Sequence, residues 1–271
     1  MVRAVTFALG PALLFCPADR PERYGKAAER SDAVILDLED AVAPGDKAAA
    51  REALLAHPLD PARTIVRVSA AGTEDHQLDL AAVDETDYRY LLLAKAAGVR
   101  DLDRLEDYDV IALCESAAGV VAAPAIAALK NVVGLMWGAE DLVASLGGTS
   151  SRGPDGRYRD VARHARSAVL LAAGAHGKAA VDAVHLDIAD LDGLRDEAED
   201  AAASGFTATA CIHPTQVEAV RAAYAPGTDE LAFARDVLAA AEGERGVFAF
   251  RGRMVDEPVL AHARTVIARS R

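Results

Sequence analysis

Eight short runs rich in Val, Ile and Leu recur along the chain, each followed by a longer amphipathic stretch, and no other feature restricts the fold as much. The runs are Ala12–Cys16, Ala33–Leu38, Thr64–Ser69, Tyr90–Lys95, Val110–Glu115, Val132–Gly138, Val181–Leu186 and Thr207–His213. Their continuous apolar character suits parallel strands covered on both faces. Between them, helical patterns fall at about Pro21–Arg30, Asp46–His57, Asp75–Glu85, Val99–Asp107 and Ala118–Lys130, then Glu140–Leu146, Arg157–His176, Leu191–Ser204 and Pro214–Tyr224. Eight β-then-α units predict an α/β fold, a TIM (β/α)8 barrel, over residues 1–225. A doubly wound open sheet is the alternative, weakened because no GxGxxG follows a strand.

Residues 226–271 are not needed to close a barrel. They read as a helix over Asp229–Glu244, an irregular VFAFRGRMVD segment and a last helix from about Pro258. A C-terminal helical extension serving as lid or subunit contact is the expectation. The Gly- and Ser-rich stretch Gly147–Tyr158 predicts a mobile loop at the barrel rim.

Composition narrows the function classes. With 52% hydrophobic residues the chain can bury a full core without disulfides. Cys16, Cys114 and Cys211 stand far apart with no CxxC or Cys/His pairing, which argues against zinc and for buried thiols kept reduced. A net charge of −13 excludes nucleic acid as an expected partner. No apolar run reaches the roughly 18 residues of a membrane span, and MVRAVTFALG is too interrupted for a signal peptide. A cytoplasmic protein without membrane attachment is the expectation.

Barrel active sites lie at the C-terminal ends of the strands, so polar residues that close apolar runs are informative. Here they recur: Asp37 and Glu39-Asp40, Arg67, Lys95, Glu115, Glu140-Asp141, Asp187 and His213. Several acids and two cations at one mouth suit a divalent cation and an anionic substrate better than a core. Arg67 reads either as a substrate contact or as a structural partner of Asp37 or Glu39, and the two are compatible. Gly138–Asp141 opens a helix whose N–H groups can cradle a substrate carboxylate, which adds Gly138, Ala139 and Glu140 to the candidate substrate contacts. His213 carries no assigned role.

The ordered set LFCPADRPER, VILDLEDAV, IVRV, LLLAK, CESAAGV, MWGAEDL, CIHPTQ and GRMVDEPVL resembles the HpcH/HpaI aldolase superfamily, in particular citrate lyase beta subunits and their stand-alone relatives, from about Leu13 to Leu260. The resemblance implies a Mg²⁺-dependent carbon–carbon lyase (an oxo-acid-lyase) acting on a small acyl-CoA, with a 2-oxo acid as the other product. Glu115 and Asp141 are the implied metal ligands and Arg67 the implied contact to substrate oxygens. Asp256 is the implied acid/base, supplied by a neighbouring subunit of a homotrimer. Arg20, Arg23 and Lys26 are the implied contacts to the nucleotide end of coenzyme A; from the residues alone they also read as a solvated helix face. Two positions depart from the family pattern: Ser69 replaces the usual asparagine and Ala94 the usual proline. The first bears on acyl specificity; the second bears on the backbone at Lys95, which is left outside the catalytic set. Citryl-CoA, citramalyl-CoA and malyl-CoA are the candidate substrates. A class II aldolase acting without CoA, a thioesterase and a non-catalytic subunit remain as alternatives.

Overall fold

The computed structural model describes residues 7–244 and 246–270; part of the MVRAVTFALG reading, residues 1–6, lies outside them. The chain divides into two compact units, Met1–Val220 and Arg221–Arg271.

The first unit is a closed barrel of eight parallel strands in sequence order. They are β1 (Ala12–Pro17), β2 (Ala33–Asp37), β3 (Thr64–Val68), β4 (Tyr90–Leu93), β5 (Asp109–Cys114), β6 (Val132–Trp137), β7 (Ala179–Asp182) and β8 (Ala208–Cys211). β8 closes on β1 through Ala12–Thr209 to Leu14–Cys211. The barrel is filled by buried side chains that include Leu13, Ile35, Ile65, Leu92, Ile111, Leu113, Val133, Met136 and Val181. Residues between these in the strands, such as Leu14, Leu36, Val66 and Leu91, are buried as well. A strand covered on both faces therefore reads as an unbroken apolar run, the signal visible in the sequence.

Helices α1 (Tyr24–Arg30), α2 (Lys47–Ala56), α3 (Glu74–Asp84), α4 (Ala117–Ala127), α5 (Ala139–Ser145), α6 (Asp160–Ala175), α7 (Leu191–Ser204) and α8 (Val217–Tyr224) complete the repeating pattern. Two expectations are corrected here. The helix predicted over Val99–Asp107 is only a short 3-10 turn, Val99–Leu102. The Asp101 carboxylate folds back to accept the Ala97 and Gly98 N–H groups, and Arg104 turns the chain with φ 73°. Leu102 and Leu105 are buried, which gave the stretch its helical spacing; Asp101 caps the start of the turn, and extended Asp103 (ψ 135°) with left-handed Arg104 ends it after four residues. The seventh strand lies earlier than Val181–Leu186 because Ala179 and Ala180 pair with Gly134 and Leu135, and Asp182 ends it by accepting from Trp137 and from the Ala183 N–H.

In the second unit α9 (Thr228–Ala241) and α10 (Glu257–Arg269) pack around Ala234, Val237, Val255, Ala263 and Val266. The segment expected to be irregular is a hairpin, β9 (Phe248–Phe250) and β10 (Arg253–Val255). Arg251 and Gly252 both have positive φ, 47° and 75°, the backbone of a two-residue hairpin turn. Phe250 stacks against Phe233 at 5.8 Å, which ties the hairpin to α9. Among the described residues no helix is long and apolar enough to cross a membrane.

Candidate active site

A cavity of about 260 Å³ opens at the C-terminal ends of the strands. Its lining combines apolar Phe15, Leu113, Met136, Val184, Leu186 and Ile212 with Asp37, Asp40, Arg67, Glu115 and Asp141. Gly138, Ala139 and Glu140 also line it. The structure thus gathers Arg67, Glu115 and Gly138–Asp141 from three separate strand ends into one volume.

Each polar residue is fixed by its element. Asp37 ends β2, fully buried, and accepts four hydrogen bonds: from Arg67 Nε (2.6 Å) and Nη2 (2.5 Å), and from the Glu39 and Ala41 N–H groups. Arg67 Nη1 lies 3.4 Å from Glu39 Oε2, and the guanidinium sits 4.9 Å over the Phe15 ring. Burial opposes the Arg67 charge, but the facing Asp37, Glu39 and Glu115 outweigh it and hold the guanidinium protonated. The structural pairing is therefore real, and it leaves Arg67 on the cavity wall.

Lys95 follows β4 with φ 52°, in the left-handed region. The neighbouring Ala94 and Ala96 N–H groups are taken by barrel carbonyls, of Val68 and Leu113. The Lys95 N–H instead donates to Glu115 Oε1 at 3.0 Å. Its ammonium donates to Glu39 and to Asp40 (2.9 Å), and stands 3.8 Å from Asp141 Oδ1. Burial opposes that charge as well, and the bonds to Glu39 and Asp40 more than restore it. Asp40 gains correspondingly: its burial is outweighed by Lys95, which holds its carboxyl below the usual range.

Glu115 differs from these paired acids. It is 3% exposed at the end of β5, and burial, reinforced by the Asp141 charge, pushes its carboxyl up to about 8. Two close packings leave the carboxylate in place. A Cβ on Gly138 would lie 2.9 Å from Glu115 Oε2 and 3.0 Å from its Cβ, so glycine leaves the carboxylate unshifted. A Cβ on Gly119 would lie 2.2 Å from the Ala96 carbonyl, so glycine also lets the Lys95 turn approach α4. A buried carboxylate facing a second one, without a cation of its own, is a poor arrangement for stability and a good one for a hard divalent ion. Among the described residues no three His, Cys, Asp or Glu side chains form a complete metal cage. Two carboxylates beside a cavity match an ion that keeps water and substrate oxygens in its remaining positions.

Glu140 turns away from that pair and accepts from Ser151 Oγ at 2.6 Å. Ser151 belongs to the loop expected to be mobile. That loop is packed down: Arg152 forms two bonds with Glu197 (2.5 and 3.1 Å) and lies 3.8 Å over the Tyr158 ring, which meets Trp137 edge-on at 5.3 Å. Its Gly and Ser content signalled a turn, not the contacts that hold it.

Other predicted residues lie elsewhere. Arg20 and Arg23 are exposed in the connection after β1, 3.6 and 3.8 Å from their neighbours Asp19 and Glu22, and Lys26 is exposed on α1; none of the three lines the cavity. Asp256 belongs to the second unit, where its side chain caps α10 by accepting from the Val259 N–H at 3.4 Å. His213 caps the short turn before α8 through Thr215. Sequence reading left out Lys95 and gave Asp40 no role. A lysine closing an apolar strand, in a chain with acids at neighbouring strand ends, was the available signal.

Comparison with known proteins accords with this geometry. The "Citrate lyase subunit beta-like protein" of Mycobacterium tuberculosis is 59% identical over 263 residues, covering 97% of this chain and 96% of that protein. A "(3S)-malyl-CoA thioesterase" of Cereibacter sphaeroides is 34% identical, covering 96% and 94%. The crystal structure of CitE from M. tuberculosis in complex with magnesium, acetoacetate and coenzyme A superposes with a TM-score of 0.91 at 59% identity, over 96% of this chain and 98% of that one. Residues 12–106 and 85–214 match the HpcH/HpaI aldolase/citrate lyase family, and the chain belongs to it.

Proposed function

We propose that the chain is a Mg²⁺-dependent lyase that cleaves a short 3-hydroxy-3-carboxyacyl-CoA into acetyl-CoA and a 2-oxo acid, or runs the reverse condensation. The observation that carries this reading is the Glu115–Asp141 pair beside a cavity with an apolar wall. The magnesium, acetoacetate and coenzyme A bound by the M. tuberculosis relative support it.

Glu115 and Asp141 would hold the magnesium ion, which when bound would supply Lewis acidity to the substrate's oxygens. The chain's own groups do the rest. Gly138–Asp141 at the start of α5 bound the pocket for the 2-oxo acid end. The carbinol hydroxyl gives its proton to a base and becomes the oxo group as the bond to the thioester α-carbon breaks; the electron pair of that bond moves into the thioester, and Arg67 offers planar N–H groups to the developing oxyanion. Asp256 from a neighbouring subunit of a homotrimer delivers the proton to the α-carbon. Leu113, Met136 and Val184 keep water from the cleaved bond. Arg20, Arg23 and Lys26 are proposed to meet the phosphates of coenzyme A.

Incubating the protein with Mg²⁺ and citramalyl-, malyl- or citryl-CoA tests the reaction. Equal amounts of acetyl-CoA and 2-oxo acid are expected from one of them. Free CoA with the hydroxy acid intact marks a thioesterase instead, the reading favoured by the C. sphaeroides relative. In the same assay, mixed oligomers of Asp256→Ala and Asp141→Ala recover activity if Asp256 works across subunits, and stay dead if it does not.

The elevated Glu115 carboxyl sets a pH dependence. The folded state without metal holds this proton more tightly than the unfolded chain, so its stability falls as pH rises from about 4.5 to about 8. A divalent cation removes that cost and displaces the proton. Added Mg²⁺ therefore raises Tm more at pH 8 than at pH 6, measured by calorimetry; an equal shift at both values argues against metal at Glu115.

A further inference from the structure

Five carboxylates crowd this rim, Asp37, Glu39, Asp40, Glu115 and Asp141, yet a lyase of this kind needs open coordination positions for its substrate. Asp37 is consumed by Arg67 and two backbone N–H groups, and Glu39 is shared between Arg67 and Lys95. Asp40 is different: it is exposed, it lines the same cavity as Glu115 and Asp141, and Lys95 is the side-chain cation hydrogen-bonded to it. The Lys95 ammonium touches Asp40 and stands beside Asp141, so it lies between the acid that would ligate and the acid that would intrude. The left-handed turn at Lys95 also sends its N–H to Glu115, so one residue addresses both members of the pair and the competitor.

We propose that Lys95 is a positioning residue that keeps Asp40 out of the metal's coordination shell, so that the ion sees two carboxylates and retains open positions for substrate. The inference rests on the metal reading given above.

Removing the ammonium takes a positive charge from beside the ion and frees a third carboxylate, so the metal binds more tightly while turnover falls. A residue that merely supported the fold would do the reverse or nothing to metal affinity.

The test uses Mn²⁺ as a paramagnetic probe on the full-length protein, with free Mn²⁺ followed by EPR and bound water counted by ¹⁷O-water line broadening. Lys95→Met and Lys95→Gly both delete the ammonium, and glycine adopts the left-handed turn without cost, so agreement between them assigns the effect to the charge. Both are expected to bind Mn²⁺ about tenfold more tightly, a gain consistent with one added hard ligand, and to lose one bound water. Adding Asp40→Asn to Lys95→Met is expected to return affinity and water count toward wild type. Unchanged or weaker binding in both single variants overturns the proposal, as does tightening that Asp40→Asn leaves in place. Wild-type protein that binds no Mn²⁺ overturns the metal reading and this proposal with it; wild-type binding with untightened variants overturns this proposal alone.

Discussion

Asp141→Asn is expected to lower turnover by about 10³-fold, the scale of several kcal/mol of lost metal-centred stabilisation of the transition state. The side chain keeps its shape at the start of α5, but a neutral amide is a far weaker partner for Mg²⁺ than a carboxylate. The fold does not depend on the charge. Asp141 is half-buried, and its nearest cation, Lys95, is 3.8 Å away and already engaged by Glu39 and Asp40. Without metal the variant relieves Glu115 of a facing charge, so its Tm in chelator is equal to wild type or higher. The stabilisation by added Mg²⁺ is the part that disappears. Circular dichroism, Tm with and without Mg²⁺, and kcat on one preparation separate these effects. Full activity in Asp141→Asn, or an unchanged Mg²⁺ response, contradicts the assignment.

Arg67→Lys is expected to cost about 10²-fold in turnover, in the range seen when one oriented donor to a developing oxyanion is lost. The replacement keeps a cation and loses the planar fork. In the structure that fork does two jobs: Nε and Nη2 hold Asp37, and Nη1 faces Glu39. A lysine ammonium can satisfy Asp37 but cannot also hold the orientation toward the cavity. Stability should fall as well, by about 1–3 kcal/mol, because a buried carboxylate loses one charge-assisted bond. Assays run well below the lowered Tm distinguish the two losses. Equal turnover in Arg67→Lys makes the residue a structural partner of Asp37 alone.

The barrel was legible because its eight strands are apolar on both faces and each is followed by an amphipathic stretch, the count of units that closes a barrel. The polar residues at the ends of those runs marked the rim for the same reason: Glu115, Asp141 and Arg67 interrupt strings of Leu, Val and Ile. What stayed hidden depends on side chains finding partners across the fold. Ala94 in place of proline drew attention to the backbone at Lys95 without giving its direction, whereas in three dimensions the neighbouring N–H groups are claimed by barrel carbonyls and Lys95 alone turns to Glu115. The Val99–Asp107 stretch carried helical spacing, but extended Asp103 and left-handed Arg104 end the turn after Leu102. The Arg251-Gly252 turn was missed because its first residue is an arginine in a conformation that asparagine or glycine usually signals. The rim loop's packing through Arg152, Glu197 and Tyr158 joins residues up to 45 positions apart, which no local pattern encodes.

Glu115 and Asp141 are proposed to hold a magnesium ion that presents the 2-oxo acid to the cavity under Arg67. A crystal structure of the protein grown with Mg²⁺ and pyruvate tests it most directly. One octahedral ion is expected, bonded to a carboxylate oxygen of each residue at about 2.0–2.1 Å, with the carboxylate and oxo oxygens of pyruvate in two further positions. An ion bound elsewhere, or pyruvate seated in the cavity with Glu115 and Asp141 free of metal, would contradict it.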